Sequence, residues 1–130
     1  MVEPVNIRFM IKSLEEFKIY NLSLELSDEI WKAVLKWNHF DKDTNGKQLV
    51  RSADSISANL SEGLGRFHTK EFINFCYYAR GSLFETKTWL KKVKSRNLME
   101  ETASEKLLNE IEVVGKMLNS FINTLKPPKS

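Results

Sequence analysis

Apolar residues recur along most of this chain at intervals of three and four positions, the spacing that places side chains on one face of a helix. Four such stretches follow one another: about Leu14 to Trp37, Thr44 or Asn45 to Glu62, Thr69 to about Arg96, and Thr102 to Leu125. Short connections between consecutive helices favour antiparallel neighbours. The pattern therefore predicts an all-α fold, an antiparallel up-down four-helix bundle.

The apolar face of each predicted helix supplies the core. Its members are Ile19, Leu22, Leu26, Ile30, Ala33 and Trp37 in helix 1; Leu49, Ala53, Ile56 and Leu60 in helix 2; Phe72, Phe75, Ala79, Leu83 and Leu90 in helix 3; and Leu107, Ile111, Val114, Leu118, Phe121 or Ile122, and Leu125 in helix 4. Helix 1 also carries a second apolar stripe, Tyr20, Leu24, Trp31 and Leu35. A helix in an isolated bundle needs only one apolar face. The second stripe therefore indicates either a wide core face or a surface for subunit contact.

Capping residues and glycines place the helix ends. The predicted N-caps are Ser13 (with Glu16), Thr44 or Asn45, Thr69, and Thr102 (with Glu105). Gly63 is predicted to adopt a left-handed conformation just past helix 2, where a Cβ would be penalised. Gly81 lies inside helix 3, where glycine costs ~1 kcal/mol relative to alanine. We therefore expect a tight helix–helix contact at Gly81.

The chain of 130 residues is expected to form one bundle domain, 14–126, between an N-terminal arm, 1–13, and a short tail, 127–130. Apolar residues occupy alternate positions in part of the arm, at Val5, Ile7 and Phe9. The arm is therefore either a frayed end or short strand, or a strand exchanged between subunits. No apolar run approaches the roughly 20 residues that span a bilayer. No signal peptide is evident and there is one cysteine, so a cytoplasmic location without membrane contact is expected.

Residues that could carry catalysis or bind a metal are few. His39, His68 and Cys76 do not have the spacing of a metal site. Cys76 lies among aromatic residues that would bury it and raise its pKa, which disfavours a nucleophilic thiolate. The sequence Gly63-Leu64-Gly65 lacks the Lys-Ser/Thr ending of a phosphate-binding loop. We therefore predict a protein that is not an enzyme, with no cofactor and no small-molecule substrate.

Positive charge is concentrated in helix 3. The net charge is +3, and residues 67–96 contain seven basic and two acidic residues. Four of the basic residues, Arg80, Lys87, Lys91 and Lys94, fall within about 60° of the helix circumference, with Lys92 and Arg96 nearby. This basic stripe has a spacing suited to repeated phosphate contacts. The alternative is an ordinary solvated helix end favoured by the helix dipole.

The stretch from Gln48 to Glu85 carries polar and glycine residues at fixed offsets. They are Arg51-Ser52-Ala53-Asp54-Ser55-Ile56, Asn59-Leu60-Ser61-Glu62-Gly63, Gly65-Arg66, Ala79-Arg80-Gly81-Ser82 and Glu85. In these motifs the chain resembles the four helix bundle protein family, known from open reading frames in intervening sequences of bacterial 23S ribosomal RNA genes. The resemblance covers about Leu14 to Leu125 and implies a four-helix bundle that assembles as a cyclic homopentamer. Distant relatives are the accessory proteins of diversity-generating retroelements, which pair with a reverse transcriptase and are thought to bind nucleic acid.

The polar members of these motifs have two interpretations. Asn59, Glu62, Arg66, Arg80 and Glu85 form either a binding cluster or a set of paired groups that lock the corner between helices 2 and 3. We favour the second, because a buried charge must be paired. Arg51, Asn59, Glu62, Gly63, Gly65, Arg66, Gly81 and Glu85 are accordingly treated as a structural motif.

Two functions follow as hypotheses. The first is a non-catalytic homopentamer that binds RNA or DNA through the helix 3 stripe, because fivefold repetition would strengthen a weak patch. The second is a pentameric adaptor for a protein such as a reverse transcriptase, without direct nucleic-acid binding. Binding to the phosphate backbone weakens steeply as the salt concentration rises, so the salt dependence of binding distinguishes the two hypotheses.

Overall fold

The computed structural model describes residues 11–66 and 68–127. A 3₁₀ turn, Leu14–Glu16, precedes four helices: α1 (Lys18–Leu35), α2 (Lys47–Leu64), α3 (Thr69–Ser95) and α4 (Glu101–Leu125). The predicted all-α four-helix architecture is confirmed. The alternating segment of the predicted arm, Val5 to Phe9, lies outside the described residues, as do residues 128–130.

Consecutive helices pack side by side, and α4 closes the bundle against α1. The contacts between α2 and α3 show their antiparallel direction. Ser52 lies 3.0 Å from Thr86, and Ser55 lies 2.9 Å from Ser82, measured between hydroxyl oxygens. The earlier residue of α2 thus contacts the later residue of α3, so the two helices run in opposite directions. Small side chains at these positions allow the two helices to approach closely.

The core is built from the predicted apolar faces. Its fully buried large side chains include Leu26, Ile30, Leu49, Ile56, Leu60, Leu83, Leu90, Ile111, Leu118 and Leu125. At one end, the rings of Phe17, Phe72 and Phe121 pack together with centroid separations of 5.3 to 5.8 Å. Among the described residues, no helix is both long and apolar enough to cross a membrane.

Most of the second apolar stripe of α1 lies outside the core. Tyr20 packs against the core, but Leu24 is 37% exposed, Trp31 51% and Leu35 54%. A wide core face therefore explains Tyr20 and not the other three side chains. Those three form a surface that the described residues leave uncovered.

The helix starts differ from those expected. The connection after α1 is already helical at His39–Asp41, where the Asn38 side chain accepts a hydrogen bond from the Asp41 N–H, and it continues as a π-helical turn, Lys42–Gly46. Asn45 is buried because its amide turns towards α3, so it does not cap α2. No cap hydrogen bond comes from the Ser13 side chain. The remaining two predicted caps are themselves helical, since α3 begins at Thr69 and Thr102 follows the first residue of α4.

Both glycine predictions were wrong in their physical reason. Gly63 lies within α2, and no described glycine has a positive φ. A Cβ at Gly63 would lie 2.7 Å from the Phe75 Cβ and 2.8 Å from the Phe72 Cδ1, so glycine is required there for close packing of α3. At Gly81 the opposite holds. A Cβ would meet nothing within 4 Å, so the expected contact inside the chain does not exist.

Candidate nucleic-acid interface

The basic stripe, Arg80, Lys87, Lys91 and Lys94, follows the side of α3 next to α4. Lys87 is ion-paired with Glu112, and Lys94 with Glu105. The hydrogen bond from Lys87 lowers the pKa of Glu112, and the hydrogen bond to Glu105 raises the pKa of Lys94. Two of the four stripe cations are therefore already matched by carboxylates of α4.

The other cations of α3 have no carboxylate partner in the described part of the chain. Arg80 lies over the Phe84 ring, 5.7 Å from its centroid, and Lys92 lies over the Trp89 ring at 5.3 Å. Lys91 makes no described ion pair, although its charge contributes to lowering the pKa of Glu112. Arg80 and Lys91 of the stripe, together with the neighbouring Lys92, are thus the residues best able to accept a phosphate.

Arg96 ties the end of α3 to the connection between α1 and α2. Its Nη1 donates a hydrogen bond to the Asn45 Oδ1 at 3.0 Å, and the Asn45 Nδ2 donates to the Trp89 carbonyl at 3.4 Å. The sequence pattern predicted a helix cap at Thr44 or Asn45 and phosphate binding at Arg96. No local pattern reveals their contact, because 51 positions separate the two residues.

This contact brings two basic segments to one end of the bundle, which we call the basic end and define as residues 36–47 and 91–101. It contains seven basic residues, Lys36, Lys42, Lys47, Lys91, Lys92, Lys94 and Arg96, against four acidic residues, Asp41, Asp43, Glu100 and Glu101. The rest of the chain has thirteen of each sign. The net charge of +3 therefore resides at the basic end.

An aromatic side chain projects from the same end. Phe40, in the short helical segment His39–Asp41, is 73% exposed, the largest exposure of any bulky apolar residue described. Aromatic rings beside basic residues provide a surface on which unpaired bases can stack. Phe40 was absent from the predicted site, although its position in a polar loop was a visible signal.

The motif residues divide between two places. At the corner between α2 and α3, Arg66 pairs with Glu62 at 3.0 Å and lies 5.0 Å from the Phe75 ring centroid, with Glu71 at 4.0 Å. Gly65 follows the end of α2 there. Arg80 lies elsewhere, on the α4 side of α3. The five polar residues proposed as a possible cluster are thus not brought together.

A polar depression of about 310 Å³ lies over the seam between α2 and α3, lined by Gln48, Arg51, Ser52, Ser55, Ser82 and Glu85. The Glu85 carboxylate accepts a hydrogen bond from Trp89 Nε1 at 3.1 Å. Asn59 donates to both the hydroxyl and the carbonyl of Ser55. These bonds join neighbouring turns within one helix, so they do not connect α2 to α3.

Cys76 is fully buried, and burial raises the pKa of its thiol to about 12. A thiol in this state is protonated near neutral pH and is a poor nucleophile. Within the described residues, no group of three or more His, Cys, Asp or Glu side chains is placed to hold a metal ion.

The helix order and packing define a small antiparallel four-helix bundle with one basic end. The chain belongs to the 23S rRNA-intervening sequence protein family, whose sequence pattern matches residues 15–120. This match confirms the resemblance seen in the motifs between Arg51 and Glu85.

A solved structure of a relative agrees with this assignment. The chain is similar to a protein of unknown function from the S23 ribosomal protein family of Bacteroides thetaiotaomicron, with 26% identity and a TM-score of 0.73. The alignment covers 82% of this chain and 99% of that relative. Among curated proteins, none matches the sequence significantly.

Proposed function

We propose that this protein is a non-catalytic, nucleic-acid-binding homopentamer that contacts the phosphate backbone of RNA or DNA through the basic end. The observation that carries the proposal is the location of the whole net charge at one end of the bundle. Lys91 of the predicted stripe and the adjacent Lys92 are the principal phosphate contacts, because Lys87 and Lys94 are paired with α4.

Assembly strengthens this binding. A net charge of +3 on one copy is a weak attraction for nucleic acid. Five copies around an axis parallel to the helices would present about fifteen net positive charges on one rim, and a field of that size attracts a polyanion. Binding through this rim would release condensed counterions and would therefore fall steeply as salt rises.

The test replaces Lys47, Lys91 and Lys92 together by glutamine. All three lie at the basic end and form no ion pair among the described residues, and glutamine is about as good a helix former as lysine. Binding to generic RNA or DNA, measured by fluorescence anisotropy, should fall at least tenfold, which is about 1.4 kcal/mol. The slope of log affinity against log salt should also become shallower.

A matched control removes three lysines from the other half of the bundle. Lys18, Lys70 and Lys116 also make no described ion pair, so the variant with glutamine at these positions has the same net charge. It should lose much less affinity. Equal losses in both variants would mean that only net charge matters, and the basic end would then not be a binding site.

The second candidate is a pentameric adaptor that binds another protein, such as a reverse transcriptase. An exposed aromatic residue favours it, since Tyr78 is 57% exposed. Wild-type protein that is pentameric but binds neither RNA nor DNA at low salt would support the adaptor and reject nucleic-acid binding.

A further inference from the structure

Gly81 has no explanation among the described residues of its own chain. It is exposed near the middle of α3, a helix of 27 residues, and a Cβ there would meet nothing within 4 Å. Glycine is less favourable than alanine in a helix interior, because the glycine backbone loses more conformational freedom on folding. Gly63, by contrast, is required by contact with Phe72 and Phe75. The reason for Gly81 therefore lies outside the described residues, in something that approaches α3 closely.

The neighbours of Gly81 form an uncovered surface, which we call the α3 stripe: Tyr77, Gly81, Phe84 and Thr88. Steps of four, three and four residues place them on one outward side of the helix. Tyr77 is 36% exposed and Phe84 55% exposed. The glycine leaves a gap between two aromatic rings, as in helix surfaces that receive a bulky side chain from a neighbouring helix.

A second uncovered surface has the same spacing. The α1 stripe consists of Leu24, Asp28, Trp31 and Leu35, again at steps of four, three and four. Trp31 is 51% exposed and Leu35 54% exposed. The α1 stripe has three large apolar or aromatic side chains and the α3 stripe has two, and such exposed surfaces commonly mark sites of association.

The two stripes lie at nearly the same height along the bundle. The rings of Phe17 and Phe72 are 5.8 Å apart, so residues of the parallel helices α1 and α3 share a height when their numbers differ by about 55. Equivalent members of the two stripes differ by 53 positions, two fewer than the 55 that mark equal height. At 1.5 Å per residue, this difference is an offset of about 3 Å along the bundle. In a ring whose axis runs parallel to the helices, surfaces of adjacent copies meet at equal height, so this match permits contact.

Near Asp28 and Gly81 the charges beside the two stripes are opposite in sign, whereas Trp31 and Leu35 border Lys42, Lys47 and Arg51. Asp28 lies near Asp54 of α2, and burial followed by the Asp28 charge raises the pKa of Asp54. Two carboxylates thus stand together beside the α1 stripe. On α3, Arg80 and Lys87 both lie over the Phe84 ring, at 5.7 and 5.5 Å from its centroid. Lys87 is already paired with Glu112, whereas Arg80 has no carboxylate partner among the described residues, so apposition of the stripes would bring Arg80 towards the carboxylates.

We propose that the α3 stripe of one copy docks against the α1 stripe of a second copy. Leu24 then lies beside Gly81, Trp31 packs against Phe84, and the carboxylates of Asp28 and Asp54 face Arg80. The contact is head to tail, because the two surfaces differ, and its repetition generates a ring. It rests on the homo-oligomer of the proposed function and identifies the surfaces that join the copies. The basic end, at the bundle tip, stays free for nucleic acid.

The test uses two variants, Trp31→Glu and Gly81→Glu, each of which places a carboxylate in one stripe and leaves the other unchanged. Native mass spectrometry at micromolar concentration should find each variant as a monomer of near 15.1 kDa. Mixed together, they should form a one-to-one dimer, because the intact α1 stripe of the Gly81→Glu copy fits the intact α3 stripe of the Trp31→Glu copy. Circular dichroism checks that both remain helical, as expected for exposed positions.

The control is Val113→Glu, which adds a carboxylate at a 54% exposed apolar position of α4 outside both stripes. It should assemble like the wild type. Single variants that stay assembled, variants that form homodimers, or a mixture that stays monomeric would each overturn the head-to-tail contact. Dissociation of the Val113→Glu control would overturn it as well.

These results are separable from nucleic-acid binding. Assembly is measured without nucleic acid, and the glutamine variant at Lys47, Lys91 and Lys92 changes neither stripe. An assembled ring that binds no nucleic acid contradicts the proposed function alone. A wild-type protein that is monomeric yet binds nucleic acid contradicts the docking contact and the pentamer, but not the basic end.

Discussion

Asn45 and Arg96 are joined by a hydrogen bond of 3.0 Å that connects the start of α2 to the end of α3. The Asn45 side chain is 2% exposed, and its two polar atoms contact different residues of α3. This contact holds the two halves of the basic end together. The position of the positive charge in space therefore depends on a residue that is itself uncharged.

Replacement of Asn45 by alanine should destabilise the protein by about 1.5–3 kcal/mol, the usual range for a hydrogen bond to a charged group. Chemical denaturation should show this as a lower midpoint with little change in slope. Asn109→Ala, at an exposed position of α4, is the control and should cost much less. If both substitutions have the same small effect, the Asn45–Arg96 contact does not stabilise the basic end.

Gly63→Ala should destabilise the protein by about 1–3 kcal/mol, because an added methyl group overpacks a close helix contact. The Cβ would lie 2.7 Å from the Phe75 Cβ, and α2 or α3 would have to shift. Gly65→Ala provides the comparison, since its Cβ would meet backbone oxygens at an ordinary 3.5 Å. Thermal melts of the two variants should differ by several degrees. Equal melting temperatures would contradict the steric role of Gly63.

Cys76 should resist alkylation in the folded protein. With its pKa at about 12, about one thiol in ten thousand is ionised at pH 8, and the sulfur is also buried. In denaturant the ordinary thiol pKa returns, and about a quarter of the thiols are then ionised. Iodoacetamide labelling followed by mass spectrometry should therefore be at least about 100-fold slower for the folded protein. Rapid labelling without denaturant would show that Cys76 is accessible.

Asp54→Asn should stabilise a separated copy at neutral pH and have little effect in acid. The folded-state pKa of Asp54 is raised by burial and by Asp28, so folding favours the protonated carboxyl. That contribution is present below the unfolded pKa of about 3.9 and is lost as pH rises through the raised folded pKa. Melting temperatures of the Gly81→Glu variant, with and without Asp54→Asn, should differ more at pH 7 than at pH 3.

The exposed carboxylate Asp43 supplies the control for this pH dependence. Asp43→Asn in the same Gly81→Glu background removes one negative charge from the connection between α1 and α2. Its effect on the melting temperature should not show the larger difference at pH 7 than at pH 3 that is expected for Asp54→Asn. A stabilisation by Asp54→Asn that is equally large at pH 3 would contradict the coupling of Asp54 to Asp28.

Much of the fold follows directly from the sequence, because the signals involved are local and repeated. Each long helix carries its apolar residues every three or four positions, and burial of residues such as Leu60, Leu90 and Leu118 agrees with that period. The helix ends were predicted less well. A serine or threonine before a helix is only one of several ways to satisfy free N–H groups, and the connection before α2 instead forms a π-helical turn.

Glycine shows why the site could not be predicted to the same depth. The sequence assigned a turn to Gly63 and a close contact to Gly81, whereas the structure has the close contact at Gly63 and open space at Gly81. Backbone freedom and the absence of a side chain are both properties of glycine, and the sequence does not say which one a position uses. That depends on what the neighbouring helix places opposite it.

The sequence by itself determined the helical class, the apolar faces, the family and the basic character of α3, since each depends on residues near one another in the chain. Tertiary structure decided which charges are neutralised and which remain available. Lys87 and Lys94 meet carboxylates of α4, while Lys91 and Lys92 come to the same end as Lys36, Lys42 and Lys47. Electrostatic interactions depend on distance in space rather than along the chain, so the basic end exists only once the four helices have packed.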